Sequence, residues 1–335
     1  MFVNHPARNV ELTPRATLTW EDTACLLCGR DDDALLMEAA DPIPAEGRGL
    51  RFAVVRCRHC GLTYTNPRPS PDTIARFYPP DYAPHASRES RQSRRPSRFL
   101  SRVFGRPCSE RRGLLPWNGT GRLLDFGCGG GSYLQRMADL GWRVAGLDVS
   151  PRVVQTIRRD LGFDAHLGTL PHPDLMPGSF DVITMWQALE HVHQPLAVLR
   201  GAYELLVPGG KLILAVPNFN SLPSGWFGEH WFGLDLPRHL THFTPKTLGA
   251  MLQTAGFRVE SLRGWVHADW LRSSALRATE AGAGSFAARS LRWKPAARLV
   301  AWSCYVLGRA ECLVAVAERP AGSLQHLKAS GSCQA

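Results

Sequence analysis

No stretch of this sequence is apolar for long enough to cross a bilayer. Its longest apolar run near the C-terminus, Leu299 to Gly308, is soon cut by Arg309 and Glu311, well short of the roughly 20 residues a spanning helix needs. Met1 to Trp20 lacks a positive start followed by an apolar stretch, the pattern of a secretory leader. An internal repeat is also missing. Charged residues make up only 20% beside 44% hydrophobic, a globular balance that argues against a disordered or fibrous chain. These absences lead us to expect a soluble, cytoplasmic protein. Its 335 residues give room for one catalytic-size domain and a smaller module. Nine cysteines are an odd number, and four stand in two Cys-x-x-Cys pairs, which in a cytoplasmic chain points to metal more than to disulfides.

The net charge of +10 is concentrated in one place. Between Arg88 and Arg112 the chain carries nine arginines against Glu89 and Glu110. We read this segment as a solvated linker, with a grip on RNA or on the phosphates of an activated sugar as its functional alternatives. Only Phe99 and Phe104 are there to stack bases, which counts against nucleic acid.

Composition divides the chain. Residues 1–20 read as a tail. Residues 21–70 hold the paired cysteines and close on Asn66-Pro67-Arg68-Pro69-Ser70-Pro71, where the prolines favour extended backbone and stop any helix. Residues 71–118 open with a short helix capped by Asp72 and run through the basic segment. From residue 119 to 320, short apolar runs alternate with amphipathic stretches, the pattern of a doubly wound α/β sheet with crossover helices. Residues 321–335 form a second tail. Seven strands are expected: Arg122 to Phe126, Arg143 to Asp148, Asp164 to Leu167, Phe180 to Trp186, Lys211 to Pro217, Phe257 to Leu262 and Glu311 to Glu318. Helices are expected over Ser132 to Leu140, Pro151 to Leu161 capped by Ser150, Pro195 to Leu206 and Pro245 to Ala255.

The first strand runs into Gly127-x-Gly129-x-Gly131. Residues without a Cβ let the backbone approach a nucleotide-like ligand closely. Asp125, two residues earlier, would repel a pyrophosphate and suits a cationic ligand. Asp148 ends the second strand, placed to accept both hydroxyls of a ribose. Together with Phe180-Asp181-Val-Ile, Glu190-His191-Val and Pro208-Gly209-Gly210-Lys211-Leu, these motifs resemble the class I S-adenosylmethionine-dependent methyltransferases over about residues 119–320. The resemblance implies a seven-stranded, mostly parallel Rossmann-like sheet with the last strand antiparallel. It implies S-adenosyl-L-methionine as cofactor, with Asp125, Gly127, Gly129 and Gly131 along its methionine end. Asp148 would be at the ribose, Thr169 and Leu170 near adenine, and Gln187 also on the cofactor. Many relatives carry an acidic residue near position 169, and here the loop reads Gly-Thr-Leu-Pro.

Cys25-x-x-Cys28 and Cys57-x-x-Cys60 are each followed by a glycine, Gly29 and Gly61. Two such turns supply a tetrahedral four-thiolate zinc site, with Leu35 to Met37 and Phe52 to Val55 as strands of a zinc-ribbon-like module. Reduced cysteines without metal, or a redox pair, are the alternatives. His59 is read as a neighbour of the site and not a ligand. A closed site of this kind folds the module and leaves no open position for catalysis. The ribbon, the Tyr64-x-Asn66-Pro67-Arg-Pro69 exit and the methyltransferase motifs together are similar to bacterial methyltransferases acting on sugars.

Glu190 and His191 follow the fourth strand, and an aromatic, histidine-rich stretch within residues 218–244 follows the fifth. Ligands of open α/β sheets bind at these strand ends, so we read 218–244 as a substrate lid. His239 and His242, with an unperturbed pKa near 6.5, are candidate general bases, and Glu190 is a further catalytic candidate. The leading expectation is methyl transfer to a small-molecule acceptor: a sugar, sugar nucleotide or glycan precursor. An RNA methyltransferase and a zinc-ribbon adaptor without turnover are the alternatives.

Overall fold

The computed structural model describes residues 17–43, 49–78 and 120–322. The tail before residue 17, the arginine segment and the last thirteen residues, with the readings made for them, lie outside the described residues.

The N-terminal part is built of short strands: β1 (Trp20–Glu21), β2 (Asp33–Ala40), β3 (Arg51–Cys57), β4 (Thr63–Thr65) and β5 (Arg68–Pro69). A single 3-10 turn, Ile74–Phe77, follows. Its N-cap is Thr73 and not the expected Asp72, and its Phe77 packs edge-on against Phe52 of β3 at 5.8 Å.

The α/β part follows the expected order. Strands β6 (Arg122–Phe126), β7 (Arg143–Asp148), β8 (Asp164–Leu167) and β9 (Phe180–Trp186) run parallel to one another. Their near-continuous burial, as in Leu123 to Phe126, is what a strand covered on both faces requires. Helix α1 (Ser132–Asp139) starts after Gly131, and α2 (Pro151–Thr156) has the Ser150 hydroxyl accepting from the Val153 N–H. Then come α3 (Pro195–Leu205) and β10 (Leu206–Pro217). Strand β10 begins five residues earlier than expected because Leu206 already pairs with Phe180, and an irregularity follows before Lys211.

After β10 come α4 (Leu222–Phe227), β11 (Thr241–His242), α5 (Pro245–Thr254) and β12 (Arg258–Trp265). Three helices that the sequence reading did not place, α6 (Ala268–Glu280), α7 (Phe286–Ser290) and α8 (Lys294–Val306), precede β13 (Cys312–Glu318). The seven-stranded sheet has the order β12-β13-β10-β9-β6-β7-β8, with β13 antiparallel to both neighbours.

The stretch 218–244, read from the sequence as a substrate lid, is packed into the fold. Trp231, Leu236, Arg238, Leu240 and Phe243 are buried, and β11 pairs with β4 to complete a second sheet of order β11-β4-β3-β2. The Leu240 peptide is a clamp: its N–H donates to the Glu190 carbonyl at 2.8 Å and its carbonyl accepts from the Thr65 N–H at 3.0 Å. Arg238, fully buried, forms ion pairs with Asp41 at 2.7 Å and Asp235 at 3.1 Å. Loss of one partner from such a buried pair strands a charge at a cost of about 3–5 kcal/mol. The proline exit is tied down as well. Arg68, fully buried, pairs with Glu21 at 2.6 Å and donates to the His193 carbonyl at 3.1 Å.

Candidate active site

The three loop glycines take left-handed backbone, with φ of +70° at Gly127, +50° at Gly129 and +68° at Gly131, a region that side chains with a Cβ rarely enter. Room is short too. A Cβ on Gly131 would meet Leu161 at 2.6 Å. Asp125 is buried at the end of β6 and accepts from the Thr184 hydroxyl at 2.6 Å. Asp148 ends β7 and accepts from the Gly129 N–H at 3.0 Å and the Ser150 N–H at 2.9 Å. Each of its oxygens takes one backbone donor, and a carboxylate oxygen accepts two hydrogen bonds, so capacity for a diol remains. Burial, and then the charges of Asp125 and Asp148, push the Cys128 thiol up. Of the residues placed near adenine, Thr169 is exposed and Leu170 buried.

Gln187 sits just beyond β9 at φ +54°. Its N–H donates to the Ala215 carbonyl and its side-chain amide points to the Cys312 sulfur at 3.4 Å. Because β13 and β6 lie on opposite sides of β9 in the sheet, that amide is turned away from the glycine loop.

Next along the chain, Ala188 packs against Gly127, and a group of chemically active side chains follows. Glu190, His191 and His239 bring one donor atom each to within 4.8 Å of one another, and the two imidazoles meet edge to face at 4.6 Å. The His191 Nδ1 lies 3.0 Å from both the Arg238 carbonyl and the Tyr78 hydroxyl, and the His239 Nδ1 donates to the Gly233 carbonyl at 2.8 Å. A carbonyl only accepts, so both rings carry their proton on Nδ1 and expose Nε2 as an acceptor. Such a carboxylate and imidazole set also suits a divalent metal.

The ordinary imidazole pKa expected for the two candidate bases is not kept. Burial lowers His239 to about 4, partly offset by the Asp235 carboxylate, and lowers His242 to about 3. Burial, with His239 beside it, brings His191 to about 3. Asp235 stays ionised, because Arg238 and His239 outweigh its burial and hold it at about 2. His242 stands apart from this group, with its Nε2 3.1 Å from the Thr65 hydroxyl and its ring against Phe219. His191 stood beside Glu190 in the sequence motif without a role, and Tyr78 is the residue that the sequence did not bring to this group. Burial and then the negative charges of Asp235, Glu190 and Asp148 raise the Tyr78 hydroxyl.

The four paired cysteines also converge. Cys25 Sγ lies 3.4 Å from Cys60 Sγ, and Cys28 Sγ lies 3.6 Å from Cys57 Sγ, with all four within 4.8 Å of one another. Gly29 and Gly61 turn at φ +71° and +79°, closing both knuckles. Burial raises the Cys57 thiol, but N–H groups of Cys60 and His59 and the neighbouring thiols bring it net down to about 7.

The family model described as a methyltransferase domain matches residues 88–262. The ubiquinone biosynthesis O-methyltransferase of Xanthomonas euvesicatoria pv. vesicatoria is 34% identical over 163 residues, covering 44% of this chain and 67% of the relative. The enzyme of that name from Xanthomonas oryzae pv. oryzae is 33% identical over 165 residues with the same coverage. The chain belongs to the methyltransferase domain family. A solved S-adenosylmethionine dependent methyltransferase from Mesorhizobium loti is 21% identical, with a TM-score of 0.44 over 63% of this chain and 96% of that one.

As a class I S-adenosylmethionine-dependent methyltransferase, the protein has residues that fit its cofactor. A sulfonium is cationic, and Asp125 and Asp148 are buried carboxylates at the ends of adjacent strands. The glycine turn is close-packed, so that a Cβ on Gly127 would meet Ala188 at 2.7 Å and one on Gly131 would meet Leu161 at 2.6 Å. The methyltransferase's Glu190 and His191 begin two residues beyond Ala188, so the acid-imidazole group adjoins that turn.

Proposed function

We propose that the protein transfers a methyl group from S-adenosylmethionine to a hydroxyl oxygen of a small-molecule acceptor. The observation that carries this reading is the convergence of Tyr78, Glu190, His191 and His239 beside the glycine turn. When bound, the cofactor supplies an electrophilic methyl carbon on a cationic sulfur. Asp125 and Asp148 hold the cationic, diol-bearing ligand, and the buried strap from Trp231 to Phe243 keeps water out. His239, neutral at pH 7, offers Nε2 to the acceptor O–H, while Nδ1–H stays on the Gly233 carbonyl. As the oxygen attacks, His239 takes its proton, and the ionised Asp235 stabilises the imidazolium. Tyr78 and His191 orient the acceptor.

A base with so low a pKa suits an acidic O–H such as a phenol, and the named relatives are O-methyltransferases of ubiquinone biosynthesis. We therefore place phenols first as acceptors. Sugars and sugar nucleotides come second, supported by the cysteine module joined to the methyltransferase. The four cysteines hold a structural zinc in this reading: for Zn–S near 2.3 Å, sulfurs of a tetrahedron lie about 3.8 Å apart, close to the separations found.

The test is turnover of full-length protein with labelled S-adenosylmethionine and a panel of phenols, sugar nucleotides and RNA. His239→Gln should lower turnover about 10²–10⁴-fold while cofactor affinity holds, and His242→Gln should change it little. Near-normal turnover in His239→Gln would remove that residue as the base.

A further inference from the structure

Between Glu280 and Glu311 the chain has no acidic residue and five basic ones: Arg289, Arg292, Lys294, Arg298 and Arg309. Helix α8 occupies the middle of this stretch. It buries Ala297, Ala301 and Cys304 and packs alongside α6. On the opposite side, Leu299, Trp302 and Val306 recur at i, i+3 and i+7, which lines them along one face of the helix. They are 66%, 57% and 60% exposed, with Tyr305 beside them at 43%. At the helix's approach, Trp293 and Phe286 are 68% and 88% exposed. Single exposed apolar residues are ordinary, whereas a row of large ones along one helix face, with more at its approach, marks an interaction face.

Charge decides the occupant. A second copy docked across a two-fold axis would set the same patch against itself, five basic residues against five with no acidic one between Glu280 and Glu311, and like charges cost affinity. The basic segment Arg88 to Arg112 offers no complementary charge. An anionic bilayer surface does. Leucine and valine enter the acyl boundary, tryptophan and tyrosine sit at headgroup level, and lysine and arginine meet the phosphates. No helix among the described residues is long and apolar enough to cross a membrane, so α8 would lie along the surface. We propose that α8, with Phe286 and Trp293 at its approach, docks the protein on anionic phospholipid membranes.

The test is flotation of full-length protein with phosphatidylcholine vesicles, plain or containing roughly one-third phosphatidylglycerol. The protein should float with the anionic vesicles, weakly with the neutral ones, and less as salt rises. The variant Leu299→Glu/Trp302→Glu/Val306→Glu and the variant Lys294→Gln/Arg298→Gln should each lose about tenfold or more in partitioning, with cofactor affinity and far-ultraviolet circular dichroism retained. Undiminished flotation of a folded triple variant would overturn the proposal. So would a lipid-free dimer that the triple substitution dissociates, since the face would then belong to a second copy. Should the triple variant not fold, the double variant decides, and unchanged partitioning there overturns the proposal equally.

Discussion

Ala188 closes on Gly127 so tightly that a Cβ placed on the glycine would lie 2.7 Å from the alanine's own. This contact joins the cofactor turn after β6 to the loop that carries Glu190 and His191. The left-handed backbone at Gly127 adds a second obstacle to substitution. Gly127→Ala should therefore shift both segments and lower S-adenosylmethionine affinity about tenfold or more, since about 1.4 kcal/mol of strain suffices for that. Titration calorimetry measures it, and unchanged affinity would show that the cofactor lies elsewhere.

The cysteine cluster makes its own prediction. Cys25, Val55, Cys57 and Tyr64 share one hydrophobic cluster with Phe243, Leu248 and Leu189 of the α/β part. Damage at the cysteine cluster should therefore spread. Purified protein should hold one equivalent of zinc, and Cys57→Ser should lower zinc content, thermal stability and turnover together. Full zinc occupancy in Cys25→Ser/Cys57→Ser would rule out the assigned ligands.

Strands of the sheet were legible because each is short, apolar and bounded by glycine, proline or a capping residue. Arg122–Phe126 and Phe180–Trp186 came out with the expected ends. Helices α6 to α8 were not placed, and in α8 the outward Leu299, Trp302 and Val306 are as apolar as the buried Ala297, Ala301 and Cys304. Sequence spacing also showed the glycine turn and the cysteine knuckles, whose partners are local. The imidazole group was only half visible. Tyr78 reaches His191 across 113 positions, and Leu240 reaches Thr65 across the second sheet, contacts that no local pattern encodes.

Acid should weaken the fold through the same histidines. His239 and His242 sit well below the ordinary 6.5 because burial disfavours their charge. The unfolded chain therefore binds protons that the folded chain refuses, so their contribution is complete above about pH 6.5 and is lost as pH falls towards 4. Between pH 7 and 5 each costs about 2 kcal/mol. His242→Gln should remove about that much of the pH dependence, read from urea midpoints at the two values. An identical slope in parent and variant would mean that His242 takes up its proton as readily in the fold as in the unfolded chain.

Glu311 works in the opposite direction. It is 2% exposed, accepts from the Trp231 indole N–H at 3.2 Å, and is raised by burial to about 8. Its folded pKa lies above the unfolded value near 4.3, so at neutral pH the unfolded chain gains by ionising while the folded chain keeps the proton. Its contribution is complete below about pH 4 and is lost as pH rises to 8, a loss of about 3–4 kcal/mol by pH 7. Glutamine keeps an acceptor oxygen for Trp231 and cannot ionise. Glu311→Gln should then be more stable than the parent by about 2–3 kcal/mol at pH 7, after allowing for imperfect amide packing. The advantage should grow towards pH 8 and vanish near pH 4.5. Urea midpoints at pH 4.5 and 8 decide it: a gain that is the same at both would assign the effect to packing and not to the proton on Glu311.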